Sequence, residues 1–598
     1  MLVSRNWLQK FFDVELPSAE ALAEALTFHA FEIDGIEKKG NDNVLDVKVT
    51  PNRGHDCLSH RGIAKELSAI LKIPLTHDPL DGVPTLAPVT NAVSVKLEEE
   101  VLSPRYIASY IKGVKVGSSP EWLKVSLETL GQRSVNNIVD ATNYIMLDTG
   151  QPLHAFDAGE LAQKDGKYLI LVRKAKPNET ITTLDDKTYM LNDSILVIAD
   201  DNKNEAIGIA GVKGGKPAGI TEATADIVIE SANFNGVSVR KTASALKLRT
   251  DASSRFEQGL SPELAGYGMR SVVDLILKIA GGELVGFVDV YPAAKKEGRV
   301  SVSIEKINTL LGSALTGADV ADVFVRLGFE YKEEGGMFEV LVPFERLDIT
   351  IPEDLVEEVG RIVGYDKIAA VPLSPLSSSP AVNSTYCGSE KVREELLAKG
   401  YSEVYTSVFA DQGERAVLNK VDSVRPFLRA SLTEGLTEAL KKNIPNKDLL
   451  GLTEIKLFEI GTVWSGGKEV VMIGTVSEKE KASEKELEAK EADHYETLPL
   501  STTTQYQPFS KYPYIVRDIA IWVPNGIEHI EVLKIITKEA GELLMRSQLF
   551  DQFEKAGRTS YAFRLVFQSF ERTLTETEVG VIMEKIYASL KEKGFEIR

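Results

Sequence analysis

The run IVRDIAIWV (515–523), HIEVLKIITKEAG (529–541), LLMRSQLFDQF (543–553), SYAFRLVFQS (560–569) and TETEVGVIMEKIYASLKEKG (575–594) decides the fold of the C-terminal block. The first, third and fourth segments are short and rich in β-branched and aromatic residues, the signature of strands. The second and fifth repeat apolar residues three and four positions apart, the signature of helices. The order strand, helix, strand, strand, helix predicts a ferredoxin-like split βαβ sandwich. Such a fold does not by itself state a function.

Outward from this block, a chain of 598 residues is too long for one hydrophobic core and predicts four or five domains. Hydrophobic residues make up 43% and charged residues 26%, an ordinary globular composition that excludes general disorder. No apolar run approaches membrane-spanning length and the first residues do not read as a signal peptide, so a cytoplasmic protein with no membrane partner is expected. With only Cys57 and Cys387, neither a disulfide framework nor a paired-cysteine zinc site is suggested. A net charge of −19 argues against one diffuse basic surface, so any RNA contact must be local.

Stretches at 74–90, 371–384 and 477–504, rich in proline, serine or charge, read as connectors. With a further boundary near 290–296 they divide the chain into an α+β multidomain series: a small α/β domain at 1–75, an α+β domain at 95–290, a small helical, winged-helix-like domain at 296–370, a fourth at 378–495, and the ferredoxin-like domain at 506–598.

Three segments carry candidate chemistry. In RLDITIPEDLVEEVGRIVGYD (346–366), Thr350 and Glu353 match a capping box, Pro352 suits the first turn, and Val356, Val359 and Val363 form an apolar stripe. Asp354, Glu357 and Glu358 then share the opposite face, and with Asp348 offer four carboxylates to a cation such as Mg2+. Acidic residues in a first turn are equally explained by the helix dipole and by solvation. The second segment, GQRSVNNIVDATNYIMLDTGQPLHAFD (131–157), offers Arg133, Thr142 and His154. The third is composite: the Gly-rich GIAGVKGG (208–215), a strand ending in Glu230, and LRTDASSRFEQG (248–259) with Thr250 and Asp251. Its glycines match no phosphate-binding fingerprint. His55, Cys57 and His60 lack a fourth zinc ligand and a usual spacing. No nucleophile elbow, P-loop or H-E-x-x-H helix occurs in the chain.

Taken in order, VTPNRGHDCLSHRGIAKEL (49–67), TNYIMLDTGQPLHAFD (142–157), LRTDASSRFEQG, PEDLVEEVGRIVGYD (352–366), LRASLTEGL (428–436) and YPYIVRDIAI (512–521) resemble the bacterial-type phenylalanyl-tRNA synthetase β-subunit family over nearly the whole chain. The resemblance implies a subunit of an aminoacyl-tRNA ligase that charges tRNA(Phe) with phenylalanine. It implies that 95–290 is an editing domain that hydrolyses Tyr-tRNA(Phe). There Glu230 would accept the tyrosine hydroxyl, His154 and Thr250 would help hold the ester and attacking water, and Thr142, Gly214 and Ala252 would shape the pocket. Whether His154 or the tRNA's own hydroxyl positions that water is left open.

The same resemblance makes Asp348, Asp354, Glu357 and Glu358 a magnesium site near a subunit contact. It makes 378–495 a class II synthetase-like antiparallel core without an ATP-clamping arginine motif. An α subunit in an α2β2 assembly would bind ATP and form the new bond. The C-terminal domain would bind the anticodon through Arg517, Tyr512 and Tyr514. The chain departs from the family pattern in one place: between FEIDGIEKK (31–39) and NVLDVKVT (43–50) only a few residues stand where the family carries an inserted OB-fold tRNA-binding module.

Overall fold

The computed structural model describes residues 1–374, 381–419, 424–491 and 508–598. They form two compact units, Met1–Pro372 and Leu373–Arg598. Residues 375–380 and 492–504 of the connectors expected at 371–384 and 477–504, and parts of the domains expected at 378–495 and 506–598, lie outside the described residues; the described part of the second connector holds the short strand Ser483–Glu486.

The first unit opens with a three-stranded sheet in which Asp42–Val47 lies between Leu2–Ser4 and Ile33–Lys39. Lys39 pairs directly with Asp42, so the hairpin closes through Gly40 and Asn41 alone, with Gly40 at φ 60°. This tight turn stands where only a few residues were expected in place of the family pattern's inserted module, and a glycine there accepts positive φ at no steric cost. Helices Ala19–His29 and His60–Leu71 cover the sheet. Their core also takes in Leu123, Leu127, Leu130 and Leu147, so the N-terminal block shares its apolar interior with the block that follows.

That second block contains a six-stranded sheet and a four-stranded sheet. The four-stranded sheet runs Glu283–Val290, Arg105–Lys112, Ile227–Asn233, Leu153–Asp157, all antiparallel. Helices Asn137–Thr149 and Leu264–Ala280 bury Ile138, Ala141, Ile145, Met269, Val272 and Ile276 against one of its faces. The longer sheet, from Lys213–Gly214 to Val93–Leu97, contributes Ile170, Val172, Val197 and Ile209 to a core on the other face. Strand Ile227–Asn233 is buried along its whole length. Any polar side chain on it must therefore find a partner or face a cavity.

A three-stranded sheet, Gly298–Ser303, Met337–Val342 and Glu330–Glu334, with helices Ile304–Leu311, Gly317–Arg326 and Pro352–Val363, completes the unit. In the second unit, Ser402–Glu403, Lys456–Ser465, Lys468–Ser477 and Ser483–Glu486 form one sheet, antiparallel except at its first pair.

The C-terminal sheet orders Leu544–Lys555, Arg558–Phe567, Ile515–Pro524 and Glu596–Ile597. With helices His529–Ala540 and Glu576–Glu592 between strands, this is the βαββαβ arrangement expected from sequence, completed by a short last strand. Among the described residues no helix is long and apolar enough to cross a membrane.

Candidate functional site

A cavity of about 260 Å³ opens between the two sheets of the second block. Glu230, His154, Gly214, Thr250 and Ala252 all line it, together with Asn143, Lys213 and Asp251. Register explains the pairing at its centre. Glu230 lies directly opposite His154 in the antiparallel ladder between Ile227–Asn233 and Leu153–Asp157, so both side chains leave the same face. Glu230 is 7% exposed, and Tyr106 Oη donates to its Oε2 at 3.0 Å. Burial pushes the carboxyl up to about 7, against the lowering effect of the Tyr106 hydrogen bond.

Burial lowers His154 to about 4, so its ring is neutral at physiological pH, and its Nε2 is buried without a hydrogen-bond partner. Gly214 lies against this ring: a Cβ there would fall 2.3 Å from His154 Cε1 and 2.6 Å from Nε2. Only a residue without a side chain allows that approach.

Thr250 caps helix Asp251–Phe256, accepting from Ser253 N at 3.0 Å and donating to Val212 O at 2.7 Å. Its hydroxyl hydrogen is therefore committed to bracing the glycine-rich loop. Thr142 does not line the cavity. It is buried on helix Asn137–Thr149 and donates to Val139 O at 2.7 Å, while its neighbour Asn143 reaches the cavity instead. Arg133 is exposed and stands outside the cavity lining. Tyr106 was missed because RYIASYI (105–111) reads as a buried strand; the available signal was a phenol two residues from the position facing Glu230.

The acidic helix differs from its sequence reading. The cap is one residue later than expected: Ile351 is N-cap, and Asp354 Oδ2 accepts from Ile351 N at 2.9 Å and Thr350 N at 2.7 Å, whereas Glu353 pairs with Lys306 at 2.6 Å. Glu358 does not share the solvent face with Glu357; it is 3% exposed and buried while Glu357 is exposed. Arg361 Nε and Nη2 donate to Glu358 at 2.7 and 2.6 Å, and Arg346 Nη1 donates at 2.8 Å. Arg346 also grips Asp348 through two bonds, at 3.0 and 2.6 Å, and His55 Nε2 lies 3.1 Å from the same carboxylate.

Burial alone would raise these acids, but Arg361 and Arg346 hold Glu358 well below the ordinary range. At Asp348, His55 and Arg346 outweigh burial in the same direction. The four carboxylates do not converge, and two of them already have guanidinium partners where a cation would sit. The donor set as folded does not fit a four-carboxylate magnesium site. Among the described residues, ligand atoms within 4.8 Å of one another occur at Asp56, Cys57 and Glu66, and Arg53 donates to all three.

At the C-terminus, Arg517 donates to Val516 O at 2.8 Å and pairs with Glu576, not with its neighbour Asp518, which Arg564 holds at 2.8 Å. Tyr514 donates to Pro445 O, and Tyr512 is half-buried with the Lys511 ammonium over its ring.

Three family models match parts of the chain: a B3/4 domain at 102–281, a tRNA synthetase B5 domain at 300–365 and a ferredoxin-fold anticodon binding domain at 510–598. The cavity lies wholly within the first. The phenylalanine–tRNA ligase beta subunit of Bacillus cereus is 32% identical over 93% of this chain and 80% of that protein. The same subunit of Thermotoga maritima is 31% identical over 95% and 82%, and that of Rhodopirellula baltica 38% over 75% and 64%. Identity at this level along nearly the whole length places the chain in the phenylalanine–tRNA ligase beta subunit family.

Proposed function

We propose that this chain binds tRNA(Phe) and hydrolyses tyrosine wrongly attached to it, while an α subunit joins phenylalanine to the tRNA with ATP and Mg2+. The supporting observation is the cavity centred on Glu230. A tyrosyl group entering it meets a buried carboxylate able to accept its phenolic hydrogen. A phenylalanyl group leaves the carboxylate oxygen that Tyr106 does not hold desolvated and without a partner, an imbalance worth roughly 1–3 kcal/mol. His154, neutral and unpartnered at Nε2, is suited to hold the attacking water, while Gly214, Ala252 and the Thr250 brace set the cavity wall.

On this reading 95–290 is the editing domain, 1–75 its packed neighbour, and 296–370 a tRNA-binding module. The segment 378–495 is a class II-like core without bond-making chemistry, and 506–598 contacts the anticodon. Arg517 would have to release Glu576 to meet RNA, with Tyr512 and Tyr514 as stacking surfaces. The assembly is two α and two β chains in the cytoplasm.

The test is co-purification with an α chain, followed by charging and deacylation assays. Glu230→Ala is expected to leave phenylalanine charging intact and slow tyrosyl-tRNA hydrolysis by at least tenfold, on the order of one lost charged hydrogen bond. Unchanged hydrolysis removes Glu230 from this role.

A further inference from the structure

We propose that Tyr106 is a positioning residue for editing: by tying down Oε2 of Glu230 from behind the cavity, it leaves Oε1 as the acceptor presented to a substrate phenol. The inference rests on the editing reading above. Tyr106 is fully buried on strand Arg105–Lys112 and does not line the cavity, so it can act on a ligand only through Glu230. In the ladder, Glu230 opposes Ala108 and Tyr106 opposes Ala232. Tyr106 is thus the diagonal neighbour of Glu230 on the same sheet face, the placement that lets a long side chain reach across. Its hydroxyl makes the one hydrogen bond that reaches the Glu230 carboxylate among the described residues.

The chemistry follows from counting hydrogens. A buried carboxyl without a partner would take a proton and turn to offer it, becoming a donor that does not distinguish a phenol from a water molecule. In the folded geometry Tyr106 donates to Glu230, and burial together with Glu230 raises its hydroxyl well above its ordinary pKa, so it keeps its hydrogen. Donation to Oε2 favours the ionised form. That form lacks a hydrogen of its own, so Oε1 must receive one, and a tyrosine side chain has it where a phenylalanine does not.

The other charged or titratable groups lining the cavity come from three elements. His154 on Leu153–Asp157 is neutral above a pKa of about 4. Lys213 on Lys213–Gly214 pairs with Asp185 at 3.0 Å, and Asp251 on Asp251–Phe256 accepts from Gln132 at 2.8 Å. The inflection near neutrality is assigned to Glu230, and the Tyr106→Phe comparison tests that assignment.

Tyr106→Phe keeps the ring and removes only the hydroxyl. It should be measured in the α-containing complex, as tyrosyl-tRNA hydrolysis from about pH 5.5 to about pH 9, beside phenylalanine charging as the measure of an intact assembly. The expected result is charging at the parent rate, hydrolysis at neutral pH reduced about tenfold, and an inflection moved upward by about one pH unit. A parent-like inflection and rate in Tyr106→Phe, with Glu230→Ala inactive, overturns the positioning role and leaves the editing reading standing. Parent-like hydrolysis in Glu230→Ala overturns the editing reading itself. A merely structural role would lower charging and hydrolysis together without moving the inflection, and that outcome also rejects the proposal.

Discussion

Glu230 and Glu358 are both buried glutamates, 7% and 3% exposed, in the same compact unit, yet they hold opposite electrostatic positions. Glu230 has a neutral phenol for a partner, and burial moves its carboxyl up to about 7. Glu358 sits between two guanidiniums that overcome burial and hold it well below the ordinary range. The charge of the partner, not the depth of burial, separates an acid whose pKa is raised from one held ionised.

The network around Glu358 extends this second role. Arg361 also donates to Glu66 through Nη2 at 3.2 Å, Arg53 donates to Glu66 at 2.6 Å, and His29 Nδ1 lies 2.6 Å from Arg361 O. Carboxylates and arginines from helices His60–Leu71 and Pro352–Val363 thus join the first and third blocks of the unit.

The largest expected effect breaks the comparison from the structural side. Glu358→Ala strands Arg346 and Arg361 without their shared partner and is expected to cost about 3–5 kcal/mol in urea unfolding of the full chain. A loss under about 1 kcal/mol would mean that the network is dispensable.

The next prediction tests Glu230. Its folded value of about 7 lies above the ordinary 4.5, so the folded state holds the proton more tightly. That contribution is complete below pH 4.5 and lost as pH rises through about 7, to a total of about 3 kcal/mol. Glu230→Gln keeps an oxygen for Tyr106 but cannot ionise. Its melting temperature should match the parent near pH 4.5 and exceed it by several degrees near pH 8, read by calorimetry across that range. A constant difference at all pH values would show that the acid is not perturbed by its surroundings.

The smallest expected effect concerns cations. With arginines already on Asp348 and Glu358, adding or chelating Mg2+ is expected to shift unfolding of the isolated chain by less than about 1 °C, whereas a saturated site would add a few kcal/mol. A shift of several degrees would mean that the carboxylates exchange their arginines for the metal.

Much of the fold was legible because it rests on local periodicity. The C-terminal strands and helices alternate as their apolar residues do, whereas the hairpin between FEIDGIEKK and NVLDVKVT, turned at Gly40, was seen only in the structure. Residues of the cavity were found through the family resemblance, since His154, Gly214, Glu230 and Thr250 lie far apart in sequence. Thr142 was displaced by Asn143 because the facing side of helix Asn137–Thr149 is set by its packing partners, not by its own pattern. The same limit applied to the acidic helix, where spacing put Glu358 on the solvent face and two arginines drew it inward.

The sequence by itself determined which segments are strands and helices, the C-terminal sandwich and the family, because these depend on short-range pattern and ordered motifs. Only the tertiary structure decided the state of each carboxylate, because an acid takes it from the groups that folding packs against it, whether distant in sequence, as Tyr106 is from Glu230, or nearby, as Arg346 and Arg361 are to Glu358.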